Sequence, residues 1–185
     1  MNEQTLDVLS ALERLKNGNK TYVNSSKSVG DISPFKRLDT WKNGQKPYAV
    51  IVSCADSRVI PEAIFSAGIG ELFVIRVAGN VVGDYEMGSI EYAVEHLGCK
   101  LVVVMGHTCC GAVGAAMGGE AHGFTKKITD EIKSAIGGET DSMRATILNA
   151  NSNVNKIKSA LSNIDGLCIC SALYHTDNGV VDFIQ

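Results

Sequence analysis

The sequence predicts an α/β fold: a central, mostly parallel sheet of about four strands with an antiparallel edge strand, helices on both faces, and an N-terminal helix. Short apolar runs alternate along the chain with segments of helical periodicity, which is typical of strands joined by crossover helices. The first strand run is apolar at nearly every position, as expected of a parallel strand covered on both faces. Near the end, Asp177-Asn178-Gly179 is a strong hairpin signal. The last strand should therefore return antiparallel.

Length, charge and cysteine content limit the possible classes. A chain of 185 residues is most simply one domain, 1–185. A net charge of −3 with mixed signs argues against nucleic acid or an anionic membrane as the main partner, and no apolar run is long enough to span a bilayer. Met1 to Asp7 lacks the pattern of a signal peptide. Six unevenly spaced cysteines then indicate a reducing, cytoplasmic environment with metal-binding or structural thiols.

The chain opens with a predicted amphipathic helix over residues 4–17. Asn17-Gly18-Asn19 is expected to end this helix, because glycine and asparagine are common just after a last helical turn. Residues 24–34, rich in Ser, Gly and Asp, predict a loop. The apolar face of the predicted helix 4–17 consists of four leucines at helical spacing: Leu6, Leu9, Leu12 and Leu15.

The middle of the chain alternates strands and helices. Pro61 is suited to the first turn of a short helix, and Asp84 is a candidate N-cap for a longer helix that Gly98 ends. The predicted elements are strand 48–53, helix 61–65, strand 72–75, helix 84–97 and strand 101–105.

The remainder predicts a helix of small residues, two longer helices and a hairpin. Gly118-Gly119 and Gly137-Gly138 mark the boundaries between the helices. The predicted elements are helix 111–117, helices of about 125–136 and 140–162, strand 167–173 and strand 180–184.

Two strand ends carry residues that favour a zinc site. Cys54 follows the first predicted strand, and His107 follows the third, with Cys110 three residues later. Ligands bind at the carboxyl ends of strands in parallel sheets, so these side chains converge if the two strands are neighbours. Thiolate and imidazole are ligands that Zn²⁺ prefers, and three protein ligands leave one position open for catalysis. The alternative for a lone cysteine is a buried core residue.

Asp56 and Arg58 lie close to the first predicted ligand. They could form a surface ion pair of little energetic weight. The more specific hypothesis is that Arg58 keeps Asp56 ionised and oriented as a hydrogen-bond acceptor for the group on zinc. If Arg58 released it, Asp56 could fill the fourth position and turn the site off. An open zinc ion lowers the pKa of bound water and so provides a zinc-bound hydroxide as nucleophile.

The motifs Cys54-x-Asp56-x-Arg58 and His107-x-x-Cys110, at this separation, resemble those of β-class carbonic anhydrases. The resemblance runs from about Asn17 to the terminal hairpin and is most specific over 45–111. It implies a lyase with one zinc ion per subunit that hydrates CO₂ reversibly to bicarbonate and a proton, by attack of zinc hydroxide. Zinc ligands would be Cys54, His107 and Cys110, with Asp56 and Arg58 as the dyad that keeps the fourth position open.

The resemblance also implies a substrate pocket and an assembly. Gln45, Phe73 and Tyr92 match the pocket residues of the permanently open subgroup, in which the pocket is completed across a dimer interface. The expected assembly is a homodimer or a dimer of dimers. One departure lies in Arg76-Val77-Ala78-Gly79-Asn80, which replaces the commoner Arg-Asn-x-Ala-Asn. Cys109, beside Cys110, could compete for the metal, but the spacing from His107 favours Cys110.

Three rival functions remain at this stage. Hydrolysis of CS₂ or COS would use the same site with a narrower entrance, and the motifs do not separate it from CO₂ hydration. A non-catalytic zinc-binding domain is disfavoured because a structural site supplies a fourth ligand. A thiol redox protein is disfavoured because the sequence contains no Cys-x-x-Cys.

Overall fold

The computed structural model describes residues 8–25, 27, 30–119 and 121–184. Helices and strands alternate as the sequence predicts. The helices are α1 Val8–Asn24, α2 Pro34–Asn43, α3 Pro61–Ile64, α4 Asp84–Glu95, α5 Gly111–Gly118, α6 Thr125–Ile136 and α7 Ser142–Ala160, with a short 3₁₀ turn at Ala78–Asn80. The strands are β1 Ala49–Ser53, β2 Leu72–Arg76, β3 Leu101–His107, β4 Cys168–Tyr174 and β5 Val181–Ile184. Among the described residues, no helix is both long and apolar enough to cross a membrane.

The strands of the described chain form one sheet in the order β2-β1-β3-β4-β5. β1 pairs parallel with β2 on one side and with β3 on the other, and β3 pairs parallel with β4. β5 pairs antiparallel with β4 after the predicted hairpin. Four parallel strands with one antiparallel edge strand confirm the predicted fold class.

Helices cover both faces of this sheet because successive strand residues point to opposite sides. On one face, Ile51 and Val103 belong to a buried cluster with Leu15 of α1 and Ile64 of α3. On the other face, alternate strand residues pack with α4 and α7; this cluster includes Val50, Val52, Val102, Val104, Ile90, Val154 and Ile157. Both faces are apolar, which explains the near-continuous apolar runs in the sequence.

The predicted end of the N-terminal helix is wrong. α1 continues through Asn17-Gly18-Asn19 to Asn24, while Leu6 and the predicted start at residues 4–7 lie outside the described residues. Gly18 lies against the backbone of Phe65, and the buried Asn19 side chain donates to the Gly179 carbonyl at 2.8 Å and accepts from the Val181 amide at 2.9 Å. These residues serve tertiary contacts, so their small and polar character does not mark a helix end.

Other departures are local. α2 is absent from the prediction, although Ser33 caps it by accepting from the Lys36 amide at 3.1 Å and Pro34 occupies its first turn. Asp84 is the first residue of α4 rather than its cap; Gly83 occupies the cap position, and Glu86 accepts from its amide at 2.9 Å. β3 extends beyond its predicted end because pairing with β4 continues through its last residue.

We expect Gly18→Ala to destabilise the fold, because an added Cβ would lie 1.9 Å from the Phe65 carbonyl oxygen. Overpacking of this kind costs about 2 kcal/mol or more in the free energy of unfolding, measured by urea denaturation. Gly88→Ala is the matched control, since Gly88 lies within α4 with no atom near the added Cβ, and helix propensity predicts a gain of about 0.5–1 kcal/mol. Equal stability of the two variants would contradict the α1–α3 contact.

Candidate metal centre

Three buried ligand-type side chains meet at the carboxyl edge of the sheet. Cys54 follows β1, His107 is the last residue of β3, and Cys110 precedes α5. The chain passes from β1 to β2 on one side and then to β3 on the other, so the crevice between β1 and β3 is a topological switch point. The two sulfurs and the nearest ring nitrogen all lie within 4.8 Å of one another. The strands that precede Cys54 and end at His107 are therefore neighbours, which is the condition under which the sequence predicts that these ligands converge.

The geometry of this cluster fits a zinc ion. The sulfurs of Cys54 and Cys110 are 4.0 Å apart, close to the ~3.8 Å expected for two thiolates bound tetrahedrally at ~2.3 Å. His107 Nδ1 lies 3.0 Å from the Thr108 carbonyl oxygen, and Nε2 is buried without a hydrogen-bond partner. With the proton on Nδ1, the ring donates to that carbonyl and presents the Nε2 lone pair to a metal.

The charge state of the two thiols also favours a cation. A hydrogen bond from Cys110 lowers the pKa of Cys54, and the same contact raises the pKa of Cys110. One thiolate therefore forms readily, whereas a second buried thiolate beside it needs a compensating positive charge. Zn²⁺ prefers thiolate and imidazole ligands, and bound to this donor set it would provide the positive charge that two thiolates need.

A backbone amide supports the Cys54 sulfur. The N–H group of Gly79 donates to it at 3.2 Å. Gly79 has φ 69°, and a Cβ there would lie 2.7 Å from Ile132 Cδ1. This position therefore favours glycine on both conformational and steric grounds. The departure from the commoner alanine in this motif thus has a physical reason in this chain.

Arg58 binds Asp56 by a bidentate contact beside the cluster. Its Nε donates to Asp56 Oδ1 at 2.9 Å and its Nη2 to Oδ2 at 2.8 Å. These hydrogen bonds hold the pKa of the Asp56 carboxyl well below its usual range. Arg58 Nη2 also donates to the Cys109 carbonyl at 3.1 Å, which links the dyad to the second ligand segment. Asp56 Oδ2 lies 3.9 Å from His107 Nε2, so the ionised carboxylate borders the metal position.

The three predicted pocket residues lie elsewhere in the same chain. Gln45 precedes β1 whereas Cys54 follows it, so the two residues are at opposite ends of that strand. Phe73 pairs with Val50 near the start of β1, and its ring centroid lies 6.2 Å from that of the half-exposed Tyr92. The structure brings the ligands and the dyad together, but it does not bring Gln45, Phe73 and Tyr92 to them within one subunit.

Arg76 is a site residue that the sequence prediction missed. It ends β2, pairs with Ser53 of β1, and donates to the Cys54 carbonyl at 3.2 Å and the Asp56 carbonyl at 2.8 Å. The available signal was its place at the end of a predicted strand beside the first one. Gly79 was noted only as a departure from a motif, and its contact with sulfur required the backbone geometry.

Comparison with known proteins identifies the family to which this site corresponds. A family model described as carbonic anhydrase matches residues 49–179. Carbonic anhydrase 2 of Mycobacterium tuberculosis is 47% identical over 109 residues, covering 59% of this chain and 52% of the relative. The carbonic anhydrase of Mycolicibacterium smegmatis is 37% identical over 133 residues, covering 69% and 64%. The match thus spans between about half and two thirds of the length of these curated relatives.

Solved structures show the same fold. The β-carbonic anhydrase CafA of Aspergillus fumigatus superposes with a TM-score of 0.70 and 27% identity, covering 81% of each chain. The Coccomyxa β-carbonic anhydrase, solved with acetazolamide, gives a TM-score of 0.70 with 24% identity, covering 94% of this chain and 81% of that one. At the latter identity the comparison concerns the fold alone.

We expect Cys110→Ser to lose stoichiometric metal binding, since it removes one of the two sulfurs that face each other across the cluster. Cys109→Ser is the matched control, because the Cys109 side chain is exposed and its hydrogen bond with Arg58 is made by its backbone carbonyl. Metal content by atomic emission, together with the thiolate absorption of the cobalt-loaded protein, measures both variants. Loss of metal in Cys109→Ser and retention in Cys110→Ser would reverse the assignment.

Proposed function

Because the chain belongs to the β-carbonic anhydrase family, we propose that it catalyses the reversible hydration of CO₂ to bicarbonate and a proton. The observation that carries this proposal is the buried Cys54–His107–Cys110 cluster bordered by a carboxylate that Arg58 holds back from it. In the described part of the chain, no fourth His, Cys, Asp or Glu joins the cluster. Three ligands with one open position favour catalysis over a closed structural site.

We assign one Zn²⁺ to Cys54, His107 and Cys110. Bound there, zinc would supply Lewis acidity that lowers the pKa of a water molecule enough for attack on CO₂. The two thiolates stay deprotonated as ligands, and the Thr108 carbonyl fixes the ring orientation of His107. None of the six cysteines, all of which lie in the described residues, forms a disulfide, and we propose a reducing, cytoplasmic environment.

Asp56 would orient the attacking water by accepting its hydrogen bond. Oδ2 of this carboxylate borders the metal position, and the carboxylate cannot donate, because its pKa lies well below neutrality. A water molecule that donates to Asp56 would direct its lone pairs away from that carboxylate. The same low pKa makes Asp56 a poor proton acceptor, so the released proton must leave through another group or the buffer. Arg58 neutralises the carboxylate and fixes its direction.

The pocket residues support a second copy of the chain as partner. Gln45, Phe73 and Tyr92 can serve a site only if they face the cluster of a neighbouring subunit, since they lie away from the cluster of their own. β2, which carries Phe73, is an edge strand of the described sheet. Large apolar side chains are exposed on α4 and α2, namely Tyr85, Tyr92, Phe35, Leu38 and Trp41. Two β-carbonic anhydrases of Sordaria macrospora are tetrameric. We propose a homodimer or a dimer of dimers.

Stopped-flow measurement of CO₂ hydration tests the activity. The zinc-loaded protein should hydrate CO₂, and the rate should disappear on zinc removal and return on reloading. Asp56→Ala should keep zinc yet lose about 10²-fold in kcat/KM, the usual loss for one oriented polar group in an active site. Asp130→Ala removes an exposed ion pair with Lys126 and should change the rate less than about twofold. Full activity of Asp56→Ala at full zinc occupancy would remove the dyad from the mechanism.

Subunit complementation tests the shared pocket. Cys110→Ser removes the metal site, and Tyr92→Ala removes part of the pocket, so each homodimer should have little activity. In a purified mixed dimer carrying a different tag on each chain, the metal site of the Tyr92→Ala subunit faces an intact pocket from its partner. We expect one of the two sites to regain activity. A mixed dimer as inactive as its parents would mean that each chain completes its own site.

A further inference from the structure

Arg76 spans the segment that joins the first metal ligand to the dyad. Its Nε donates to the Cys54 carbonyl at 3.2 Å and its Nη2 to the Asp56 carbonyl at 2.8 Å. These two carbonyls flank Ala55, so one guanidinium fixes both ends of the segment. The guanidinium is planar and presents two donors on one edge in fixed geometry, a match that a lysine ammonium does not offer.

The backbone around Arg76 continues this attachment. The Ala55 amide donates to the Val77 carbonyl at 3.2 Å, and the Val77 amide donates to the Ser53 carbonyl at 3.1 Å. The Asp56 carbonyl also accepts from the Val59 amide at 2.9 Å. The segment 54–56 is therefore fixed to the end of β2 through the Arg76 side chain and one backbone contact, and a second backbone contact holds the preceding residue, Ser53.

The orientation of the Asp56 carboxylate depends on this backbone. In the structure the carboxylate accepts hydrogen bonds from the Arg58 side chain and from the Arg58 backbone amide, but the Arg58 side chain itself is 52% exposed, so its position depends on few contacts beyond Asp56 and the Cys109 carbonyl. A turn of the carboxylate away from Arg58 would bring Oδ2 into the space that His107 Nε2 faces, 3.9 Å away. Rotation about the side-chain bonds of Asp56 is not restricted by these contacts, but any part of the turn that needs the Asp56 backbone to move is opposed, because Arg76 and Val59 hold its carbonyl.

We propose that Arg76 is a positioning residue: by holding the backbone of segment 54–56, it keeps the Asp56 carboxylate on Arg58 and off the open metal position. The proposal deepens the carbonic anhydrase function proposed above and depends on the same metal site. It follows that an external anion should bind the open position more weakly when Arg76 is replaced. This dependence on Arg76 should disappear when residue 56 has no carboxylate.

Azide titration of the cobalt-loaded protein, followed by the visible spectrum, tests this dependence without any turnover. Arg76→Gln should retain the metal and bind azide about tenfold more weakly, since a hydrogen bond from a charged donor corresponds to roughly that factor in an equilibrium constant. The kcat/KM for CO₂ should fall in parallel. Arg76→Lys keeps the charge but loses the two-carbonyl geometry, so it should resemble Arg76→Gln. Arg37→Gln is the matched control, because Arg37 donates to the Ile32 carbonyl at 3.0 Å, outside the site.

A double-mutant cycle with Asp56→Ala separates positioning from charge. With no carboxylate to turn, Arg76→Gln should leave the azide affinity of the Asp56→Ala protein unchanged. An equal loss of affinity in both backgrounds would assign the effect to the lost positive charge and overturn the proposal. Full azide affinity in Arg76→Lys would also overturn the proposal, and so would loss of metal from both Arg76 variants. Absence of CO₂ hydration in the wild type would refute the activity and leave the azide cycle interpretable.

Discussion

The position of β1 between β2 and β3 is the constraint on which the site depends. Parallel pairing on both sides brings three strand ends to one edge, so Cys54, Arg76 and His107 become neighbours although they are far apart in sequence. Register decides which side chains meet there: Ser53 lies opposite Arg76 in one pair and opposite Met105 in the other. A shift of one residue would turn each side chain to the opposite face and separate the ligands.

Charge compensation is the second organising requirement. Two sulfurs 4.0 Å apart and a nearby carboxylate would concentrate negative charge in a mostly buried space once both thiols lose their protons. Two arginines and backbone amides of the same chain partly compensate these charges. Arg58 binds the carboxylate, Arg76 binds carbonyls on either side of Ala55, and the Gly79 amide binds sulfur. What remains uncompensated lies between the two sulfurs and His107, where a divalent cation would be bound.

Features that repeat along the chain were predictable, and features that depend on distant contacts were not. Apolar strands and the Asp177-Asn178-Gly179 turn follow from local pattern, and the convergence of Cys54 with His107 follows from parallel topology. The continuation of α1 through Asn19 did not follow, because that side chain bonds to residues of the hairpin. The contacts of Arg76 required the exact path of segment 54–56. The assignment of Gln45, Phe73 and Tyr92 to a pocket completed across a dimer interface stays a prediction, because one chain does not show what these residues face in an assembly.

The attachment of α1 has a consequence for biosynthesis. The Asn19 side chain bonds to Gly179 and Val181, residues 160 and 162 positions later in the chain. On the ribosome, at about 5–20 residues per second, these partners emerge many seconds after α1. During that interval Ala11 and Leu15, which are buried in the finished fold, have no complete sheet to cover them. Although α1 precedes the other described helices in the chain, it is thus among the last of them to reach its final contacts.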